Sequence, residues 1–336
     1  MFPEIIAEIG INHNGDLYKA VRMIHDAHDA GVSCVKFQSH VIESEMIPAA
    51  KNIIPGNANE SIWNIMERCA FSETQERALK KETEKLGMLY LCTPFSREAA
   101  ERLHRMDVQM YKIGSGECNN YPLIKQIASY GKPIILSTGM NDFDSIDPAV
   151  LIIKAAGVPF ALLHCVSMYP APYDKMNLGA IQELKARYHV PVGLSDHSIG
   201  NYISFAAIAL GAEIIERHFV SSPSWAGPDV PISIGPIQLR ELIKGRRAIV
   251  EAVGGTKENI LGEQPTAAFA FACVVTTRPI RQGESLSKDN LWVKRPGTGM
   301  IKAAQYEACL GRVALKDIPK DTQLTWDMME LGHLWK

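Results

Sequence analysis

The chain has 336 residues, of which 46% are hydrophobic, and a formal net charge of −2. A chain of this length buries one large core and has residues left for a second, small module. The near-neutral charge gives no basic surplus and we find no local basic patch, so binding to nucleic acid or to a membrane surface is not expected. The expected partners are small molecules.

Seven cysteines are scattered singly, without a C-x-x-C pair, and are expected to be reduced thiols. Most of them lie in apolar runs, where cysteine behaves as a small hydrophobic residue. The segment 1–5 has no charged leader, and neither a signal peptide's hydrophobic region nor a run long enough to span a membrane follows it. These features together predict a cytoplasmic protein.

Short apolar runs alternate with amphipathic helical stretches along most of the chain. This alternation is typical of repeated β-α units that build a parallel sheet. The predicted strands are residues 5–9, 34–37, 88–92, 109–113, 133–137, 160–164, 191–194 and 213–216. Eight such units in about 250 residues predict an α/β fold, a (β/α)8 TIM barrel over residues 1–253.

The pattern changes near Gly254-Gly255, where a segment with several glycines and a proline begins. We predict a linker over residues 254–269 and a separate small, mostly β domain over residues 270–336. Three short strand-like runs support the domain: residues 272–275, 291–293 and 312–315.

Polar side chains follow the predicted barrel strands, at the face of a parallel barrel that carries chemistry. They include Glu8, Asn12, His13, Lys36, Gln38, Thr93, Lys112, Ser115, Glu117, Ser137, Tyr169, Ser195, His197 and His218. Lys36 and Lys112 lie in apolar strands, where a charge is costly to bury unless it is paired. They predict a site for a phosphate or a carboxylate; the alternative is an ion pair with Glu8 or Glu117.

Two histidines end neighbouring predicted strands, in the runs Ser195-Asp196-His197 and Glu216-Arg217-His218. Two imidazoles on adjacent strands can share a divalent metal ion and leave positions open for water and substrate oxygens. The alternative is a pair of hydrogen-bonded structural histidines.

The loop Lys112-Ile113-Gly114-Ser115-Gly116-Glu117 offers backbone N–H groups and a hydroxyl that suit a phosphate, although such loops are common. Asp229 follows His218 closely and can orient a histidine or contact sugar hydroxyls; the alternative is a turn aspartate.

Read in order, these residues resemble the sialic acid synthase family, the phosphoenolpyruvate-dependent N-acetylneuraminate synthases. The resemblance extends from near Ile5 to near Thr322. It rests on Glu8-Ile9-Gly10-Ile11-Asn12-His13, Val35-Lys36, Ile54-Pro55-Gly56-Asn57, Cys92-Thr93-Pro94-Phe95-Ser96, the 112–117 loop and both histidine runs. The C-terminal region resembles the antifreeze-like (SAF) domain attached to these synthases, with Lys294-Arg295-Pro296-Gly297 as its landmark.

The resemblance implies a role for each candidate residue. Phosphoenolpyruvate would be held by Lys36, Thr93, Lys112, Ser115 and Ser195, and the metal by His197 and His218. Glu117 would lie beside the reacting aldehyde, and Glu8, Asn57, Tyr169 and Asp229 would line the rest of the pocket. Ser167 departs from the family pattern, which has asparagine there, so the contact at that position is left open.

The resemblance also implies the reaction and its partners. Phosphoenolpyruvate and N-acetylmannosamine would condense with the help of a divalent metal, Mn²⁺ with Mg²⁺ or Co²⁺ as alternatives. The protein would be a domain-swapped homodimer in which Arg295 reaches the substrate of the partner subunit. Two alternatives are a synthase of legionaminic or pseudaminic acid, and an inactive barrel whose C-terminal module binds carbohydrate.

Overall fold

The computed structural model describes residues 2–258 and 260–330. The chain divides into two compact units between Gly254 and Gly255, one residue after the predicted end of the barrel domain. The predicted linker is not irregular throughout, because Gln264–Ala270 forms a short helix in it. The last residues of the predicted C-terminal domain, 331–336, lie outside the described residues.

The first unit is a closed parallel barrel, as the sequence predicts. Each strand pairs with the next along the chain, and β1 pairs with β8 to close the barrel. Within residues 2–258 the barrel strands are β1 Ile5–Gly10, β2 Cys34–Ser39, β3 Leu89–Pro94, β4 Tyr111–Ile113, β5 Ile134–Ser137, β6 Phe160–Cys165, β7 Val192–Asp196 and β8 Ile215–His218. Strand β8 begins and ends two residues later than predicted, so His218 is its last residue rather than a loop residue.

Helices surround the barrel, and six of the ten in the first unit begin with a residue whose side chain caps the helix. The side chain of Asp16 accepts hydrogen bonds from the backbone of Tyr18 and Lys19 at the start of α1, which ends at Gly31 with a φ of 97°. The α-helices of the first unit are α1 Leu17–Ala30, α2 Ile42–Glu45, α3 Ile62–Cys69, α4 Glu73–Lys85, α5 Arg97–Arg105, α6 Tyr121–Ser129, α7 Phe143–Ala155, α8 Ala180–Tyr188, α9 Tyr202–Ala209 and α10 Pro236–Val253; α11 is Gln264–Ala270. No helix of the described residues is both long and apolar enough to cross a membrane.

The interior of the barrel has an apolar layer and, above it, a polar one. The apolar layer is a separate cluster that includes Ile6, Cys34, Leu91, Met110, Ile135, Leu163 and Ile214. Side chains two positions apart on a strand point to the same face. The polar layer accordingly lies two residues further along the strands, at Glu8, Lys36, Thr93, Lys112, Ser137, Cys165 and Glu216. The fold therefore places these side chains at the carboxyl end of the barrel.

The second unit is built on the antiparallel pair β9 Cys273–Thr276 and β10 Leu291–Lys294. It has its own core, which includes Val274, Leu291 and Leu324. The predicted third strand at 312–315 is reduced to isolated bridges, in which Val313 pairs with Ser285 and Ala314 with Met329. Short 3₁₀ helices at Ala303–Cys309 and Trp326–Met328 occupy part of the domain predicted as mostly β.

Gly193 on β7 allows a close approach of β8, which gives a test of the barrel packing. A Cβ atom at Gly193 would lie 2.1 Å from the carbonyl oxygen of Ile214. We expect Gly193→Ala to lower the free energy of unfolding by at least about 2 kcal/mol, because backbone would have to move. Gly179→Ala is the control, since its Cβ would meet nothing within 4 Å and its φ is −57°. Denaturant titration measures both; equal stability of the two variants would contradict the packing described.

Candidate active site

A cavity of about 380 Å³ opens at the carboxyl end of the barrel. It brings together twelve of the thirteen predicted site residues: Glu8, Lys36, Asn57, Thr93, Lys112, Ser115, Glu117, Tyr169, Ser195, His197, His218 and Asp229. They come from distant parts of the chain and meet because all parallel strands end at the same face. The thirteenth, Arg295, is an exposed residue of the second unit.

Four charged side chains are buried together at the base of the cavity. The Nζ atom of Lys36 lies 3.0 Å from Oε1 of Glu216 and 3.5 Å from Oε2 of Glu8. The Nζ atom of Lys112 lies 3.8 Å from Oε2 of Glu216 and donates to the hydroxyl of Ser137 at 2.6 Å. The ion pair considered for Lys36 with Glu8 is thus present, whereas Lys112 pairs with Glu216 instead of Glu8 or Glu117.

Mutual attraction sets the charges of this quartet. Burial opposes ionisation of Glu216, but the charges of Lys112 and Lys36 lower its pKa to about 2. Burial raises the pKa of Glu8 to about 7, although Lys36 acts in the opposite direction. Burial also lowers the pKa of Lys112 to about 8. Two ammonium groups therefore face one carboxylate that stays ionised and one whose ionisation burial disfavours, so the lysines keep positive charge that an anion can compensate.

The two predicted histidines are neighbours in the cavity, with ring centroids 5.3 Å apart and planes tilted by 59°. Nδ1 of His197 donates to the carbonyl of Val166 at 2.9 Å, which leaves its Nε2 as the atom with a free lone pair. Burial lowers the pKa of His218, so its imidazole is neutral. Its buried Nδ1 has no hydrogen-bond partner among the described residues and lies 3.6 Å from Oδ2 of Asp229.

This donor set fits a divalent metal ion. Metal ligands must be unprotonated, and burial keeps the His218 ring neutral. Burial acts the same way on His197, but contacts with Cys165 and the Val166 carbonyl raise its pKa, so a bound metal would have to displace any proton from its Nε2. In residues 2–258 and 260–330 no group of three or more His, Cys, Asp or Glu side chains has the arrangement of a metal site. The histidine pair would then leave positions open for oxygens of water and substrate.

A buried arginine holds the loop that carries His197. The guanidinium of Arg217 donates to the carbonyls of Asp196 and Ser198, on either side of His197, at 3.0 and 2.9 Å. It also pairs with the Asp196 carboxylate at 3.0 Å, and both side chains are fully buried. Arg217 precedes His218 in β8, so one side chain connects the two segments that carry the imidazoles.

Glu117 lies on a 3₁₀ helix, Ser115–Glu117, that follows β4. Its Oε2 is buried without a hydrogen-bond partner in the part of the chain that the structure describes. Burial and the nearby charge of Glu45 raise the pKa of Glu117 to about 7, although Lys112 acts in the opposite direction. A carboxyl group that is half ionised near neutral pH is suited to accept or donate a proton.

The wall of the cavity is formed by loops. Tyr169 stacks on His197 with ring centroids 4.3 Å apart, and the side-chain amide of Asn57 donates to the carbonyl of Pro228 at 3.3 Å. Burial raises the pKa of Asp229 to about 6. Ser167, the departure from the family pattern, also lines the cavity.

Glu216 is the centre of the charged quartet, although no role was predicted for it from the sequence. The hydroxyl of Ser195 donates to Oε1 of Glu216 at 3.0 Å. Glu216 therefore also contacts a residue that was predicted to hold phosphoenolpyruvate. The signal was available: Glu216 is two residues before His218, and side chains two apart on a strand share a face. Gln38, two residues after Lys36, lines the cavity for the same reason.

The raised pKa of Glu117 predicts a pH-dependent effect of Glu117→Gln on stability. The unfolded chain ionises Glu117 near its ordinary pKa of 4.5, whereas the folded protein holds the proton up to about pH 7. Ionisation therefore favours unfolding increasingly from pH 4.5 to pH 7, and glutamine removes this cost. We expect the stability of the variant relative to wild type to rise by about 1–3 kcal/mol between pH 4.5 and 8. Denaturant titration at both pH values checks this; a difference independent of pH would contradict the raised pKa.

Comparison with known proteins agrees with the resemblance noted in the sequence. The chain is 38% identical over 325 residues to N,N'-diacetyllegionaminic acid synthase of Campylobacter jejuni, covering 94% of this chain and 97% of that protein. It is 34% identical over 297 residues to N-acetylneuraminate-9-phosphate synthase of Homo sapiens, covering 86% and 82%. A crystal structure of N-acetylneuraminic acid (sialic acid) synthetase from Leptospira borgpetersenii, in complex with citrate, superposes with a TM-score of 0.72 at 36% identity, covering 79% of this chain and 90% of that one.

Two family models match in the order in which the two units occur. The model of the NeuB family matches residues 23–258, most of the barrel unit, and that of the SAF domain matches residues 271–330. The chain therefore belongs to the NeuB family and carries a SAF domain after its barrel.

Proposed function

We propose that the chain is an N-acetylneuraminate synthase that condenses phosphoenolpyruvate with N-acetylmannosamine and releases phosphate. One observation carries the proposal: two buried lysines with incomplete compensation of their charge lie in the same cavity as two imidazoles that can hold a metal. Phosphoenolpyruvate brings a phosphate and a carboxylate, which need cations in a pocket of low dielectric constant.

The residues of the quartet provide the anion site. Lys36 and Lys112 would bind the phosphate and carboxylate, with hydroxyls from Thr93, Ser115 and Ser195 as hydrogen-bond donors. The hydroxyl of Thr93 is buried and has no partner among the described residues, so it can donate to a ligand. An incoming anion would compete with Glu216 for both lysines.

The histidines provide the electrophilic part of the site. His197 and His218 would hold a divalent ion, with Mn²⁺ as our first choice and Mg²⁺ or Co²⁺ as alternatives. When bound, the ion would act as a Lewis acid on the aldehyde of the open-chain sugar.

In the proposed reaction C3 of phosphoenolpyruvate bonds to the aldehyde carbon C1 of the sugar, whose carbonyl oxygen takes up a proton and becomes a hydroxyl. A water oxygen adds at C2 and loses a proton, and the bond from C2 to the bridging phosphate oxygen then breaks to release phosphate. Lys36 and Lys112 hold the reacting anion throughout. The Glu117 carboxyl handles a proton in these steps, and its raised pKa supports this role. Glu8, Asn57, Tyr169 and Asp229 would orient the sugar.

The choice of sugar has a close alternative. The Campylobacter relative is named for diacetyllegionaminic acid, whereas the Leptospira structure is named for sialic acid, and their identities to this chain are 38% and 36%. We favour N-acetylmannosamine because the segment Gly116-Glu117-Cys118-Asn119-Asn120-Tyr121 resembles that of enzymes that use it. A synthase of legionaminic or pseudaminic acid is the alternative; an inactive barrel with a carbohydrate-binding module has no support from the assembled cavity.

A substrate panel tests the proposal directly. The protein is given phosphoenolpyruvate with N-acetylmannosamine, its 6-phosphate or a 2,4-diacetamido-6-deoxy hexose, and phosphate release and product mass are measured. We expect the highest kcat/KM with N-acetylmannosamine. Preference for the diacetamido sugar would support the alternative, and no turnover of any sugar would contradict a synthase function.

Metal dependence is the second expected outcome. His218→Ala, or treatment with a chelator, should abolish turnover and leave the fold intact, because the core does not depend on the ion. Metal binding, measured by calorimetry, should be lost in the same variant. His164→Ala is the control: His164 also lies near a strand end, but its Nε2 contacts the carbonyl of Met176 outside the cavity. Full activity of a rigorously metal-free preparation would refute the Lewis-acid role.

We further propose that the enzyme is a cytoplasmic, domain-swapped homodimer whose site is completed by Arg295 of the partner chain. Met140, an apolar side chain that lines the cavity, is 75% exposed. Ile47, after α2, and Tyr202, the first residue of α9, are 73 and 75% exposed. Their exposure supports a covering partner. The seven cysteines are free and buried, which fits a reducing compartment.

Mixing two inactive variants tests the shared site. Arg295→Ala and His218→Ala proteins are dissociated and reassociated together. If Arg295 acts in the partner's site, each mixed dimer has one doubly damaged and one intact site, so activity reappears. If it acts within its own chain, every site keeps one lesion. Absence of recovery, with mixed dimers shown by native mass spectrometry, would contradict the proposal.

A further inference from the structure

Two residues outside the cavity are connected to it through Gln38. The side-chain Nε2 of Gln38 donates to Oε1 of Glu8 at 3.0 Å, and the Gln38 side chain lines the cavity. Its carbonyl Oε1 lies 3.1 Å from Nε2 of His40. An amide oxygen only accepts, so Nε2 of His40 donates to it. The other ring nitrogen, Nδ1, also faces an acceptor, the Glu45 carboxylate, so the ring is placed to donate from both nitrogens.

His40 is itself held on two other sides. Its Nδ1 lies 2.8 Å from Oε2 of Glu45, at the end of the short helix α2, and its ring stacks on Phe95 with centroids 4.7 Å apart and planes 13° apart. The ring is 3% exposed. Neither His40 nor Glu45 lines the cavity, whereas Gln38, Glu8 and Phe95 do. A carboxylate that orients a histidine, which in turn orients a group in the site, is a known arrangement for fixing geometry.

We propose that the Glu45–His40 pair is a positioning device that fixes the Gln38 amide, and through it Glu8, for binding of the sugar. Gln38 has both ends of its amide in use, and rotation of the amide would place its oxygen against the Glu8 carboxyl. His40 prevents that rotation because its Nε2–H group needs the amide oxygen of Gln38 as its acceptor. The inference rests on the proposed function, in which Glu8 belongs to the sugar part of the cavity.

The test separates hydrogen bonding from packing. His40→Phe keeps an aromatic ring on Phe95 and removes both hydrogen bonds. We expect it to raise KM for the accepted sugar about tenfold, the size of one lost hydrogen bond, and to change KM for phosphoenolpyruvate less than twofold. His40→Gln, which can donate to Gln38 again, should recover part of the loss. His104→Phe is the control, since His104 also stacks on an aromatic ring, Tyr130, away from the cavity.

A double variant shows whether His40 acts through Gln38. If it does, Gln38→Met combined with His40→Phe should be no worse than Gln38→Met alone, because the contact that His40 supports is already lost. A purely structural role would give additive losses and would overturn the proposal. If His40→Phe does not fold, Glu45→Ala takes its place and should raise the sugar KM by a smaller factor.

A crystal structure of substrate-free His40→Phe, or of Glu45→Ala, tests the positioning role without a measurement of activity. We expect the Gln38 amide to leave its position against Glu8. An unchanged Gln38, or an unchanged sugar KM, would overturn the positioning role. A wild-type protein that turns over no sugar would instead refute the proposed function, and the crystal comparison would still test the position of Gln38.

Discussion

Two lysines and two glutamates share the base of one cavity, and the cost of burying their charges governs the site. A lone buried charge costs several kcal/mol, whereas paired charges repay much of that cost if their geometry is good. Glu216 makes the pairing possible because it lies between Lys36 and Lys112 and also accepts from Ser195. The compensation is incomplete, since burial leaves Glu8 only partly ionised near neutral pH. The stability cost and the anion binding that we propose have the same origin.

The groups around the cavity keep this arrangement rigid. Arg217 binds the carbonyls on both sides of His197 and the Asp196 carboxylate, and it is fully buried. On the other side of β1, after the end of β2, His40 contacts Gln38 and Glu45 through hydrogen bonds. Neither Arg217 nor His40 lines the cavity. If the cavity binds substrate as we propose, these hydrogen bonds would hold the lining residues in advance and reduce the ordering that binding requires.

Much of the fold and most of the candidate site could be predicted because their signals are local. Apolar runs alternating with helical stretches predicted each barrel strand, with errors of at most two residues at the strand ends. Polar residues at strand ends predicted a common face, and the structure brings twelve of them into one cavity. The third strand of the small domain was wrong, since residues 312–315 form only isolated bridges. In that region pairing depends on distant segments, such as Ser285 and Met329, that a local pattern does not reveal.

The sequence by itself determined the barrel, the two-unit division near Gly254, and the residue types that meet at the carboxyl end of the strands. Periodicity along a strand specifies which side chains share a face, and parallel strands all end at the same side. Only the tertiary structure decided which polar groups pair. Lys112 pairs with Glu216 rather than with Glu117, and the Gln38 amide forms hydrogen bonds with both Glu8 and His40. These partners are far apart in sequence or on different elements, and their contacts depend on barrel register and on loop paths. Differences of an ångström there decide whether a buried charge is paired.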